Sequence, residues 1–183
     1  GYTDATGTSA EFNSPWGITT DGTNLYVTDG NNHKIRKIVI STGVVTTLAG
    51  SSAGSTDATG TAARFDQPKA VATDGTNLYV VDSNNYRIRK VVISTGVVTT
   101  LSGSVGTSGS TDGTATAARF KNPRGITIEG KNLYVGGYGN HKIRKISLLG
   151  TATAELNLYN IDDDTDVKVA VASSNTNEAT VNP

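Results

Sequence analysis

One block of residues occurs three times along this chain. Its anchor is a Phe-x-x-Pro motif at Phe12 and Pro15, Phe65 and Pro68, and Phe120 and Pro123, spaced 53 and then 55 residues apart. Around each anchor the same units follow in the same order. A Gly/Ser/Thr/Asp loop such as 54–60 comes first, then a short run (17–20), an Asp21-Gly22-Thr23 turn and the stretch Asn24-Leu25-Tyr26-Val27. A polar turn at Asn31-Asn32 leads into Lys34–Ile40, and a Ser41-Thr42-Gly43 turn into Val44–Leu48. The first two copies agree at about 35 of 50 aligned positions, which marks a tandem duplication.

Each copy reads as four short strands, β-branched and tyrosine-rich, separated by turn signals. Asp-Gly at 21–22 and 74–75, and Glu129-Gly130 in the third copy, supply the positive-φ residue of a tight hairpin. Ile35 falls on one face of its strand, Ile38 and Ile40 on the other, so both faces carry apolar side chains. A sheet packed between two neighbours has that property, and a sheet with one wet face does not. Four strands per unit, packed on both faces, predict an all-β chain: a β-propeller of four-stranded blades, three of them present as a partial ring. The predicted blades are 1–53, 54–108 and 109–150, followed by an acidic, β-rich segment at 151–183.

The pattern Phe-x-x-Pro-x-Gly-Ile (12–18), Asp-Gly-x-Asn-Leu-Tyr-Val-x-Asp (21–29), Asn-x-x-Ile-Arg-Lys (32–37) and Val-Val-Thr-Thr-Leu-Ala-Gly (44–50) resembles the NHL repeat. The resemblance covers residues 1 to about 150 and implies a propeller, usually of six blades. Three blades are then half a ring, completed either by further blades of a parent protein or by a second copy of the chain. An open half-ring leaves unpaired strands and apolar faces at its ends. The third copy departs from the others, with Gly136-Gly137 where Thr28-Asp29 and Val81-Asp82 stand.

Residues 1–150 carry 15 Lys+Arg against 10 Asp+Glu, a net +5, whereas 151–183 carry a net −5, a contrast expected of two structural units. The stretch 166–183 is similar to the opening of β-sandwich repeats in bacterial surface proteins. There is no cysteine, which excludes disulfides, thiolate metal sites and thiol nucleophiles. The lack of methionine and the end at Val181-Asn182-Pro183 are expected of a processed chain or an excerpt. No apolar run approaches the roughly 18 residues of a membrane helix, so no membrane insertion is expected.

Two sets of residues are candidates for contact with a partner. The first is a basic ladder: Lys34, Arg36 and Lys37, recurring as Arg87, Arg89 and Lys90 and as Lys142, Arg144 and Lys145. It reads either as a surface for an anionic partner or as a set of staples in which each Arg pairs with a carboxylate such as Asp29 or Asp82. Repetition in every blade favours the staples, and the lack of interleaved aromatics disfavours nucleic acid. The second set is where near-identical blades differ: Trp16, Lys69 and Arg124 after the anchor proline, and His33, Tyr86 and His141 in a later loop. An exposed Trp beside cations suits a glycan or a protein edge.

Metal chemistry has little to build on. A peptide-amidating lyase with an NHL-type propeller uses histidine-coordinated zinc, but His33 and His141 stand two blades apart with Tyr86 at the point between them, and a catalytic zinc wants three converging ligands. Asp162, Asp163, Asp164 and Asp166 are calcium candidates, without the glycine and distal glutamate of an EF-hand. The expectation is therefore a non-catalytic scaffold without cofactor, extracellular or at the cell surface, contacting protein or glycan. The alternatives are a structural subunit whose half-propellers self-associate, and a fragment of an NHL-type enzyme.

Overall fold

The computed structural model describes residues 1–148, 154–160, 165–167 and 170–171. Its strands form three antiparallel sheets, each with its members in chain order. The first holds β1 (Pro15–Thr20), β2 (Asn24–Asp29), β3 (Lys34–Val39) and β4 (Val45–Ala49). The second holds β5 (Pro68–Thr73), β6 (Asn77–Asp82), β7 (Arg87–Val92) and β8 (Val98–Gly103). The third runs from β9 (Pro123–Glu129) through β10 (Asn132–Gly137) and β11 (Lys142–Leu148) to β12 (Ala154–Asn160), with β13 (Thr165–Val167) and β14 (Ala170–Val171) paired to β12. Among the described residues there is no α-helix and none long and apolar enough to cross a membrane. The calcium candidates Asp162, Asp163 and Asp164 lie outside the described residues, and Asp166 falls within β13.

The chain is a series of propeller blades in an open arc. β1 lies against β5 and β5 against β9, so the first strand of each blade faces inward and the fourth forms the rim. Tyr26, Ile35 and Ala49 of the first blade pack on Phe65, Val71, Leu78 and Val80 of the second. Tyr79, Val81 and Ile88 on the second blade's opposite face pack on Phe120, Leu133, Val135 and Ile146 of the third. This two-faced burial is why the strands lack strict alternation.

Local chemistry sets the hairpins. The Asp21 carboxylate accepts the N–H of Thr23 at 2.8 Å and of Asn24 at 2.7 Å, and the Tyr26 hydroxyl at 2.7 Å. Asp74 repeats these bonds with Thr76, Asn77 and Tyr79. Gly50 and Gly103 end the fourth strands at φ +93° and +95°, where a Cβ would collide with the His33 and Tyr86 carbonyls.

A buried arginine organises each blade. Arg36 donates to Asp29 at 2.8 Å, to the Glu11 carbonyl at 2.8 Å, to the Thr3 carbonyl at 3.1 Å and to Asp4 at 2.7 Å, and its guanidinium lies 4.8 Å from the Phe12 ring centroid. Arg89 does the same with Asp82, Arg64, Thr56, Asp57 and Phe65. The second carboxylate of each set latches the leading loop to the blade's rim: Asp4 accepts the Thr47 N–H at 2.9 Å, and Asp57 the Thr100 N–H at 2.9 Å.

Candidate functional site

The six variable residues lie at one end of the sheets. Pro15 pairs with Asp29, Pro68 with Asp82 and Pro123 with Gly137, so the residue after each proline lies beside the loop that leaves the second strand. His33, Tyr86 and His141 close those loops, each in the left-handed region at φ 56°, 56° and 57°.

Trp16, Lys69 and Arg124 sit at the starts of three adjacent inner strands and come together as a row. The Lys69 ammonium is 5.7 Å from the Trp16 ring centroid. Trp16 lies over Gly30, where a Cβ would press on its ring. The residue corresponding to Gly30 in the third blade is Tyr138, and the Arg124 guanidinium lies 3.7 Å from its ring centroid. An aromatic ring therefore stands at each end of the row and two cations lie between them. Both rings are open to solvent, Trp16 at 63% and Tyr138 at 59% of their surface.

Among the described residues, neither Lys69 nor Arg124 forms an ion pair with a carboxylate. Burial lowers the pKa of Lys69 from its ordinary value, and the like charge of Arg124 lowers it further. Two cations without carboxylate partners among the described residues, flanked by exposed rings, make a surface suited to anionic and ring-bearing groups.

His33, Tyr86 and His141 do not converge. His33 Nδ1 accepts the Gln67 N–H at 3.2 Å and lies 3.7 Å from Asp66, at the junction of the first two blades. Tyr86 packs against the core between the second and third blades. His141 is exposed. Among the described residues, no three metal-ligating side chains come together.

The basic ladder divides by burial. Arg36, Arg89 and Arg144 are closed off from solvent and committed to Asp29 and Asp4, to Asp82 and Asp57, and to Asp112 respectively. Arg87 donates to the Ser55 carbonyl and to Thr100, and Lys34 lies 5.0 Å from the Tyr2 ring centroid. Lys37, Lys90, Lys142 and Lys145 are half-buried. The ladder is thus an internal framework rather than one exposed basic face. Sequence reasoning missed the latching carboxylates, although Thr3-Asp4, Thr56-Asp57 and Thr111-Asp112 recur with the repeat. It also missed Tyr138, which has no aromatic counterpart in the other blades.

Four-stranded blades arranged around a common inner edge define the β-propeller class. Residues 12–38 match the family model described as NHL repeat. Human NHL repeat-containing protein 2 is 30% identical over 160 residues, covering 81% of this chain and 21% of that protein. Its bovine counterpart is 32% identical over the same shares. The chain therefore spans about a fifth of the length of these curated relatives. Among solved structures, a protein of unknown function from Bacteroides thetaiotaomicron superposes with a TM-score of 0.66 at 27% identity, over 79% of this chain and 37% of that one. An auxiliary nutrient binding protein from Bacteroides ovatus superposes with a TM-score of 0.60 at 25% identity, over 70% and 36%. The chain carries NHL-type repeats folded as β-propeller blades.

Proposed function

We propose that this chain is a non-catalytic interaction scaffold, extracellular or at the cell surface, whose propeller end presents the row Trp16–Lys69–Arg124–Tyr138 to a glycan or a protein. The observation that carries this reading is the pairing of two cations, free of carboxylate partners among the described residues, with two exposed rings. The likeness to an auxiliary nutrient binding protein supports a binding role, and its bacterial source supports the surface location. Trp16 is the single tryptophan of the chain, so its fluorescence reports on the row alone. Titration with neutral and acidic oligosaccharides, and with an acidic peptide, should give a saturable change that Lys69→Ala weakens. A flat response to all three would remove the row as the contact surface.

A second reading, a structural subunit in which half-propellers pair, is favoured by the two ends of the arc. The outer face of the first blade is a depression of about 310 Å³ lined by Phe12, Pro15, Trp16, Ile18, Val27 and Ile38. Ile18 is 61% exposed there, and Ile143 on the far face of the third blade is 50% exposed. Inside the arc, the counterparts of these two faces pack on one another.

A further inference from the structure

Lys69 is held from across a blade junction. It falls at an irregularity of the β5–β6 ladder, where Pro68 pairs with Asp82 and Ala70 with Val81, so Lys69 itself has no ladder partner. Two side chains of the first blade fix its backbone instead. The Thr28 hydroxyl donates to the Lys69 carbonyl at 3.2 Å. Two residues ahead of Lys69, His33 Nδ1 accepts the Gln67 N–H at 3.2 Å.

Gln67 needs a tie. Its φ of +48° lies in the left-handed region, which is unfavourable for a side chain of L configuration, and the residue before a proline is pushed toward extended backbone. The matching turns of the other blades are tied within their own blade. There the Gly30 N–H donates to the Ser14 carbonyl at 3.1 Å and the Tyr138 N–H to the Asn122 carbonyl at 3.2 Å. The Gln67 turn is tied across the junction, to an imidazole.

That tie depends on a proton. To accept the Gln67 N–H, Nδ1 must be bare, so the ring is neutral with its proton on Nε2. Once protonated, Nδ1 is a donor facing a donor. Asp66 offers it an acceptor: Oδ1 lies 3.7 Å from Nδ1 and takes a long bond, 3.3 Å, from the Asn84 side-chain amide. The Asp66 backbone is anchored by its N–H on Asp82 at 2.7 Å. Lys34 and Tyr2 are the other titratable groups that line, with His33, a depression of about 420 Å³. The ring is partly open to solvent there, so protons reach it. At the next junction Tyr86 holds the same place and packs on the core.

We propose that His33 is a positioning residue for Lys69 and makes the row's hold on anions pH-dependent. Neutral His33 holds the Gln67 turn and presents Lys69 beside Trp16. In the protonated state Nδ1 donates to Asp66, the Gln67 N–H is released, and Lys69 moves off the Trp16 ring. The added charge sits against Asp66 rather than in the row, so the displaced Lys69 decides the outcome and anion affinity falls. The effect on binding rests on the row being the contact surface, whereas the switch belongs to the free protein.

The test is a titration of the ¹⁵N-labelled chain from about pH 8 to about pH 5, first without ligand. The Gln67 and Lys69 amides and the Trp16 indole N–H should shift with the same midpoint as the His33 ring, which the His33→Asn spectrum tells apart from His141. Affinity for a sulfated oligosaccharide, whose charge is constant over this range, should fall about fivefold or more toward the acid end, read by Trp16 fluorescence. His33→Asn sets an amide oxygen near the place of Nδ1, tolerates the φ of 56° and does not titrate; it should keep the higher affinity throughout. His33→Ala should bind weakly at every pH. Amides that ignore the His33 ring, equal affinity at both ends of the range, or identical behaviour of the two variants would overturn the proposal. No binding of the sulfated probe at any pH, with the amides still following the ring, would refute the row and leave the coupling of His33 to Lys69 standing.

Discussion

The guanidinium of Arg89 lies 5.0 Å from the ring centroid of Phe65 while it bonds Asp82 and Asp57 at its two ends. One side chain thus ties the anchor motif, the second strand and the leading loop of its blade. Replacing Arg89 with Met leaves the buried Asp82 carboxyl without its guanidinium partner, which should cost about 3–5 kcal/mol. Arg144→Met should cost less, about 1–3 kcal/mol, because Gly137 brings no inner carboxylate to strand. Urea unfolding of the two variants checks the order, and equal losses would contradict it.

The hairpin carboxylates govern acid stability. Burial pushes Asp21 and Asp74 up, but the Tyr26 and Tyr79 hydroxyls and the N–H groups of Asn24 and Asn77 outweigh it and hold both below the ordinary 3.8. A depressed folded-state pKa contributes stability that is present above the unfolded value and lost as pH falls through the folded one. The urea midpoint should therefore decline below about pH 4, and Asp21→Asn with Asp74→Asn should flatten that decline.

Anion binding at the row should fail on the alkaline side. Lys69 is lowered from 10.5 first by burial and then by Arg124, so it loses its charge earlier than an exposed lysine does. Affinity for an acidic oligosaccharide, read by Trp16 fluorescence, should fall as pH rises through that lowered value. Lys69→Arg should carry the affinity to higher pH, since a guanidinium stays charged.

If the ends of two arcs pair, light scattering should give a mass near twice 18.9 kDa. Ile18→Asp, placed on the exposed face of the first blade, should return it to the monomer. A monomeric parent chain at all concentrations tested would sink the pairing.

Much of this architecture was legible in the sequence because the repeat restates every signal. Asp21-Gly22 and Asp74-Gly75 mark the same hairpin, and Ile35 opposed to Ile38 marks both faces of the strand as apolar. Comparison between copies also found Trp16, Lys69 and Arg124. What stayed hidden depends on distance. Arg89 meets Asp57 across 32 residues, and no periodicity links a loop aspartate to a strand arginine. Tyr138 joins Arg124 only through the pairing of β9 with β10. The unpartnered side-chain amide of Asn140 matters only because Gly137 lacks the carboxylate that Asn32 and Asn85 bond in the other blades.

The latch closes inside one repeat. Asp4 holds Thr47 and Asp57 holds Thr100, each across 43 residues, so a copied stretch of this length brings both halves of its own fastening. Such a unit can be inserted or deleted whole without orphaning half of a latch elsewhere in the chain. The near-identity of the first two copies is then what recent lengthening by whole modules leaves behind, and a propeller of this kind can change its circumference one blade at a time.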